Sequence, residues 1–326
     1  MRDPVDPDAR RNARSAVPRL SIGLVVYNGE RYLDAAIESL RRQTFTDFEL
    51  VMSDNGSTDG TPGIAEAAVQ RDPRVRYVRH DVNRGLAWNL NYVVREAVGE
   101  YFMWAGHDDL HAPDFIERCV AALDADPDVV YAYGDTFLID GDDRVFGREV
   151  NRFQLGRQSP NRRFWEQLVV HGGQNFYGII RSSVLHSIAP HGSIPWAERV
   201  MFAELALNGR FAFVQDAKFY WRRHPDQLTA IWGSRKQFTN ALDPARPRWR
   251  RSTPALMAEY VAGYATAIAR APFGVGEKLR CYARLARWLI GHLPGLGVDD
   301  PRAVAAEIAP VTLDDERAET NRPDGG

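Results

Sequence analysis

Between Leu20 and Tyr133 short apolar runs alternate with helix-patterned segments, and that alternation leaves few folds open. Five runs read as strands: Leu20 to Tyr27, Phe48 to Ser53, Val75 to His80, Glu100 to Ala105 and Val129 to Tyr133. Each is apolar and of strand length, and most run into turn-forming residues. Between the first two, Tyr32, Leu33, Ala36, Ile37 and Leu40 recur at helical spacing, giving one buried stripe. Ile64 to Val69, Leu86 to Val98 and Asp114 to Leu123 also read as helices. Strands alternating with helices predict an α/β fold: a mostly parallel central sheet with helices on both faces.

Such sheets bind ligands beyond the carboxyl ends of their strands. The polar clusters fall there. Tyr27-Asn28 follows the first strand, Asp54-Asn55 the second, and His107-Asp108-Asp109 the fourth. Adjacent carboxylates at a strand end repel each other, and a hard divalent cation removes that cost. An isolated Asp-Asp pair is more often a solvated, helix-capping loop, so its surroundings have to decide. Asp54 is likewise good turn chemistry by itself, in Asp-Asn-Gly-Ser. Asp59 reads as a turn or cap residue.

The remaining bulk properties exclude several classes. Lys and Arg number 41 against 43 Asp and Glu, a net charge of -2, so no basic field recruits nucleic acid. Cys119 and Cys281 are too few for a disulfide scaffold or a zinc cluster. No apolar run approaches the roughly 20 residues that span a bilayer. The polar, Pro-rich start lacks a signal-peptide core. A cytoplasmic location is therefore expected, peripheral to the inner face of the membrane at most.

The segments Leu20 to Thr61 (LSIGLVVYNGERYLDAAIESLRRQTFTDFELVMSDNGSTDGT) and Asn83 to Phe115 (NRGLAWNLNYVVREAVGEYFMWAGHDDLHAPDF) resemble, in order and spacing, the family 2 glycosyltransferases. The resemblance is strong over Leu20 to Tyr133, weaker to Arg223 and absent beyond. It implies the nucleotide-binding fold called GT-A and transfer with inversion at the anomeric centre in one displacement. It implies a nucleotide diphosphate sugar as donor and Mg²⁺ or Mn²⁺ as cofactor. Tyr27 and Asn28 match the end of the family's first strand, beside the nucleotide. Asp54 matches the residue that holds the base. Asn83, Gly85 and Asn91 match a segment flanking the nucleotide. Asp108 and Asp109 match the acidic pair near ribose and metal, with Asp109 the direct ligand. One departure stands out: many members have a further Asp where this chain has Gly106, which weakens the metal assignment without removing it. His107 is read as shaping the turn.

An inverting transfer needs a base for the acceptor hydroxyl. Glu198, at the start of the segment Ile194 to Val214, matches a position where related sequences often have Asp; Glu204 is its rival. On the acceptor side, Gly173, Asn175, Phe176 and Tyr177 are similar to a segment that forms a wall for sugar, with ordinary core the other reading of the two aromatics. Arg222, Arg223, His224 and Gln227 fall in a later loop. Arg suits phosphate, and neutral His224 would complete the metal site; a basic surface loop is the alternative.

The expected organisation is a tail (1–18), a GT-A catalytic domain (19–235, with a nucleotide-binding half, 19–135, and an acceptor half, 136–235), a helical extension (250–312) and a second tail (313–326). In the extension, Leu279, Tyr282, Leu285, Trp288 and Leu289 share a face and Arg280, Arg284 and Arg287 lie toward another. Packing on the catalytic domain, or a homodimer contact, is the preferred reading. An interfacial helix on anionic lipid is the alternative. The acceptor stays open among glycans, lipid-linked glycans, proteins and small molecules. A non-catalytic nucleotide- or sugar-binding protein and a nucleotidyltransferase are the competing functions, the latter disfavoured because YNGERY replaces a Gly-rich basic loop after the first strand.

Overall fold

The computed structural model describes residues 17–149, 159–169, 174–225, 227, 235–292 and 308–309. Of the two expected tails, only residues 17 and 18 lie among them.

The first half follows the sequence pattern. Strands β1 (Leu20–Val26), β2 (Phe48–Asp54), β3 (Val75–Arg79) and β4 (Tyr101–Gly106) alternate with helices α1 (Leu33–Arg41), α2 (Thr61–Arg71) and α3 (Leu86–Glu96). All are parallel, in the order β3-β2-β1-β4, with Leu20 opposite both Phe48 and Tyr101. Every residue of β1, β2 and β4 is buried, as expected of strands covered on both faces. The stripe Leu33, Ala36, Ile37 and Leu40 of α1 faces the sheet core. Leu90 and Val93 of α3 pack on the opposite face, with Phe102 and Trp104.

The second half is mixed rather than parallel. It comprises β5 (Leu110–His111), α4 (Phe115–Asp124), β6 (Val129–Ile139), β7 (Val145–Glu149), α5 (Pro160–Val169), a 3-10 turn (Gln174–Tyr177), β8 (Ile179–Arg181), α6 (Ser182–Leu185), α7 (Ala197–Asn208) and β9 (Arg210–Arg222). β8 inserts antiparallel between β4 and β6, β7 runs antiparallel to β6, and β9 runs parallel to it. The strand expected at Val129 to Tyr133 thus continues to Ile139, and β9 runs on past Val214 to Arg222. Both exceed their apolar runs because they bend. The register of β6 against β9 shifts between Gly134 and Asp135, and Asp216 adopts φ +66°. A Cβ on Gly134 would sit 1.8 Å from the Ala217 carbonyl oxygen, so the bend requires glycine. Past it, β9 reaches β5, where Leu110 lies opposite Tyr220 and His111 opposite Phe219.

The chain continues through α8 (Arg235–Leu242), a 3-10 turn (Arg248–Arg251), α9 (Thr253–Arg270), α10 (Val275–His292) and β10 (Ile308–Ala309), which pairs antiparallel with β7. α9 and α10 share a core with α5 and α7: Phe164, Leu168, Ala203, Leu207, Tyr264, Ile268, Cys281 and Leu285. Leu285, Trp288 and Leu289 therefore pack inward, whereas Leu279 and Tyr282, expected on the same face, are exposed. Both cysteines are buried and free.

Phe164 is fully buried in this shared core. Phe164→Ala is expected to cost about 3–5 kcal/mol. Urea denaturation followed by fluorescence should give one cooperative transition at a lower midpoint. A C-terminal transition that melts alone would show that α9 and α10 fold independently.

Candidate active site

Because β1 lies between β2 and β4, the loops leaving all three converge at one end of the sheet, where the chain order reverses. The first two loops are zipped together. Asn28 adopts φ +51°, donates its backbone N–H to Ser57 Oγ (2.9 Å) and accepts the Thr58 N–H on Oδ1 (2.9 Å). Gly29 N–H donates to Thr61 Oγ1, Glu30 N–H to Asp59 Oδ2 and Gly60 N–H to Glu30 Oε2. Asp59 is thus the turn residue its sequence suggests. The Tyr27 side chain is left exposed beside this seam.

Asp54 ends β2 with no exposed surface. Its Oδ1 accepts the Ser57 N–H (2.8 Å) and its Oδ2 the Tyr77 hydroxyl (2.7 Å), with Arg79 Nε 3.8 Å away. The turn role and the strand-end position are therefore both present. Burial and Asp54 together raise the Tyr77 phenol above its ordinary value. Asn55, given no role by the sequence beyond its place in the polar cluster after the second strand, is the hub of the next loop. Its amide donates to Asn83 Oδ1 (2.9 Å) and the Gly85 carbonyl (3.2 Å) and accepts the Arg84 N–H (3.0 Å). Asn83 Oδ1 also accepts the Gly85 N–H. Gly85 has φ +89°, and a Cβ there would lie 2.4 Å from the Leu242 carbonyl oxygen of α8. The Asp-Asn-Gly turn signal was the available clue to Asn55.

Asn91 stands apart from these loops. Its Nδ2 donates to the His191 carbonyl (2.8 Å), and its Oδ1 accepts the His191 N–H (2.8 Å). It bolts α3 to the segment that leads into α7.

The carboxylate pair sits between β4 and β5. Asp109 is buried and accepts the Arg222 N–H on Oδ1 (2.9 Å). Asp108 Oδ2 lies 3.1 Å from His224 Nε2 and 3.5 Å from Gln227 Nε2. Burial opposes ionisation of Asp108, but the charge of His107 and the His224 hydrogen bond hold its carboxyl below the usual range. Burial, then the charge of Asp108, push Asp109 well above it. The pair folds back over Gly106: a Cβ there would meet Asp109 Oδ2 at 2.6 Å and Asp108 Oδ1 at 3.0 Å. The space a side chain at 106 would need is taken by the pair's own oxygens. His107 packs against Gly29, whose Cβ would lie 2.6 Å from the His107 Cδ2.

Arg222, expected in a phosphate-facing loop, is instead the last residue of β9 and wholly buried. Its Nε donates to the Asp108 carbonyl (2.7 Å) and its Nη1 to the Asp140 carbonyl (2.9 Å), and it pairs with Asp143 (2.5 Å). Arg223 differs: it stacks over the Trp221 ring at 4.2 Å, and among the described residues its buried Nη1 has no hydrogen-bond partner. The His224 ring lies 4.9 Å from the ring of Tyr32; among the described residues neither the buried Tyr32 hydroxyl nor His224 Nδ1 has a hydrogen-bond partner. Sequence reading gave Tyr32 only a helix-packing role.

In α7, Glu204 is buried and spent: Oε2 accepts the Ala189 N–H (3.1 Å) and Oε1 faces Arg270 Nε (3.4 Å). Glu198 is half-buried in the first turn, and burial raises its carboxyl above the usual range. Phe176 is core, stacked on Trp104 at 4.7 Å. Tyr177 links the regions. Burial raises its phenol, and the charges of Asp109, Asp108 and Glu198 raise it further. Gly173 and the Asn175 side chain lie outside the described residues.

A hard cation fits this chemistry to a limited extent. Among the described residues no group of three or more His, Cys, Asp or Glu could hold a metal. The pair nonetheless brings two carboxylate oxygens within 3.0 Å of one point over Gly106. Mg²⁺ commonly binds through one or two carboxylates plus substrate phosphates.

Residues 21–188 match the family described as Glycosyl transferase family 2. An uncharacterized glycosyltransferase of Haemophilus influenzae is 25% identical over 236 residues, covering 68% of this chain and 71% of that one. Among solved structures, S. aureus TarS 1-349 in complex with UDP-GlcNAc superposes with TM-score 0.61 at 17% identity, covering 85% of this chain and 73% of that chain. The mannosyltransferase PcManGT from Pyrobaculum calidifontis, in complex with GDP-Man and Mn²⁺, superposes with TM-score 0.50 at 18% identity, covering 92% and 80%. At such identities these two structures speak for the fold.

Asn91→Ala would orphan the His191 N–H and carbonyl. A loss of about 1–3 kcal/mol is expected, read as a lower denaturation midpoint. An unchanged midpoint would mean that the bolt carries no energy.

Proposed function

The chain belongs to the family 2 glycosyltransferases, and on that premise we propose that it moves a sugar from a nucleoside diphosphate donor to an acceptor hydroxyl in one inverting displacement, with Glu198 as base. The observation that carries this reading is the carboxylate pair Asp108-Asp109, held at the end of β4 by the Arg222 N–H and by His224. It gives the loops beyond the sheet a donor-side acidic pair, and Glu198 in the first turn of α7 is the acceptor-side carboxylate. The UDP-GlcNAc and GDP-Man bound by proteins of the same fold support a nucleotide sugar as donor.

The nucleotide lies along the zipped loops, beside Tyr27, Asn28, Asn83 and Gly85. Asp54 acts from behind, holding Tyr77 and the Ser57 turn in place. Asn91 orients the acceptor segment. Asp109, with Asp108, would hold Mg²⁺ or Mn²⁺ together with the donor phosphates; such an ion, when bound, stabilises charge on the leaving diphosphate. His224 keeps Asp108 oriented and ionised. Arg223 supplies positive charge on the same side. Glu198, in a weakly polar setting, accepts the proton of the attacking hydroxyl as the new bond forms. Tyr177 forms part of the wall between the two substrates. The binding-protein alternative would rest on the missing acid at 106, but Asp108 and Asp109 remain beside that position and keep the acidic pair the reaction needs.

Glu198→Gln should keep donor binding, read as a thermal shift with the nucleotide sugar, and lose transfer by about 10²–10⁴-fold. A variant that transfers normally removes Glu198 as base. The base must be deprotonated and its carboxyl is raised. Transfer rate should therefore fall, as pH drops, at a higher pH than an ordinary carboxylate gives, and Glu198→Gln should abolish that limb.

Thermal midpoints against UDP, GDP, TDP and their sugars, with and without Mn²⁺, should show a metal-dependent rise with one base. Asp109→Ala should erase it. A shift indifferent to Mn²⁺ would place the diphosphate on Arg223 and the loops alone.

A further inference from the structure

α10 has two apolar faces, and among the described residues only one is covered. Cys281, Leu285, Trp288 and Leu289 enter the core shared with α5, α7 and α9. Val275 (74% exposed), Leu279 (62%) and Ile290 (74%) stand in solvent, with Tyr282 partly exposed among them. Ala283 and Ala286 are exposed too. At about 100° per residue these positions form one stripe along the helix, roughly 100° wide. Basic residues border it. α10 carries Lys278, Arg280, Arg284 and Arg287 against a single acidic residue, Glu277, in a chain whose net charge is -2.

The charge decides among occupants. A second copy docking on a two-fold axis would set this cationic helix against itself, like charge to like. The chain's own next described segment, Ile308–Ala309, is committed elsewhere, to β7. An apolar stripe bordered by Lys and Arg matches a surface that offers both hydrocarbon and negative charge. No described helix is long and apolar enough to cross a membrane, so the contact is in the plane.

We infer that α10 is an interfacial anchor that lays the Val275, Leu279, Tyr282 and Ile290 stripe into the surface of an anionic lipid bilayer. The helix is held from behind by the catalytic domain's own core, so it meets the bilayer already folded and loses little conformational entropy on binding. The contact uses none of the residues placed at the candidate active site.

Flotation of the full chain with vesicles tests this without donor or acceptor, so its outcome is separate from that of the transfer reading. The chain is expected to float with vesicles of equimolar phosphatidylcholine and phosphatidylglycerol, not with phosphatidylcholine alone, and to detach as salt rises. Leu279→Asp with Ile290→Asp should weaken partitioning by about tenfold per side chain or more. Both positions are largely exposed, so the thermal midpoint should hold; Leu279→Ser with Ile290→Ser is the gentler pair if it does not. Three results overturn the inference. One is no flotation with anionic vesicles. Another is flotation untouched by either pair but lost in Arg280→Gln with Arg287→Gln, which would mean charge alone. The third is a dimer, seen by light scattering, that the Asp pair dissolves while vesicles are ignored.

Discussion

A buried cation organises the carboxylate-bearing end of the sheet. Arg222 leaves β9 with almost no exposed surface and is satisfied on every side: by the carbonyls of Asp108 and Asp140, by Asp143, and by the face of the Tyr32 ring at 4.5 Å. Its own N–H holds Asp109. Burying a guanidinium is tolerable only with such partners, and removing the Asp143 carboxylate would leave its charge uncompensated. The loop after β4, the turn between β6 and β7, and the start of α1 are fixed relative to one another by this side chain. Two adjacent carboxylates can then be held over Gly106 despite their repulsion, because the framework pays that cost elsewhere.

The parallel half of the sheet was legible because its information is local. Leu20 to Val26, Phe48 to Asp54, Val75 to Arg79 and Tyr101 to Gly106 each announce themselves by a short apolar run and a turn. The mixed half depends on pairings between residues far apart. β8 is three residues long and invisible to periodicity, and β6 and β9 pass through a bend that only Gly134 permits. The site shows the same division. Asp54, Asp108 and Asp109 could be placed from their strand ends. The roles of Arg222, Asn91 and Glu204 could not, because each is set by a partner far along the chain: Asp108, His191 and Arg270. An Arg beside a His reads as phosphate chemistry until the fold shows its charge already neutralised.

α7 divides its acids between a structural role and the role proposed for Glu198. Glu204 holds the helix by Ala189 behind and Arg270 of α9 beside it. Glu198, at the first turn, is left with its own backbone N–H and the neighbouring Arg199 charge. The helix is gripped from α3 as well, through Asn91 and His191, and from α5, α9 and α10 through the shared core. A group whose position is over-determined in this way needs little reorganisation when a substrate arrives. The C-terminal helices thereby belong to the catalytic framework's rigidity.

The contact between Gly85 and Leu242 has a meaning for how the protein comes into being. A ribosome delivers the parallel half first, and its strands can begin to pair as they emerge. The loop from Asn83 to Gly85 nevertheless receives its backbone wall from α8, and Asp109 its N–H from Arg222, more than a hundred residues later. A nascent chain halted before β9 would display the family's most recognisable motifs on a surface not yet able to hold them in register. The loop at Gly85 and the Asp109 carboxylate therefore have all their backbone partners only once the chain has been made past α8.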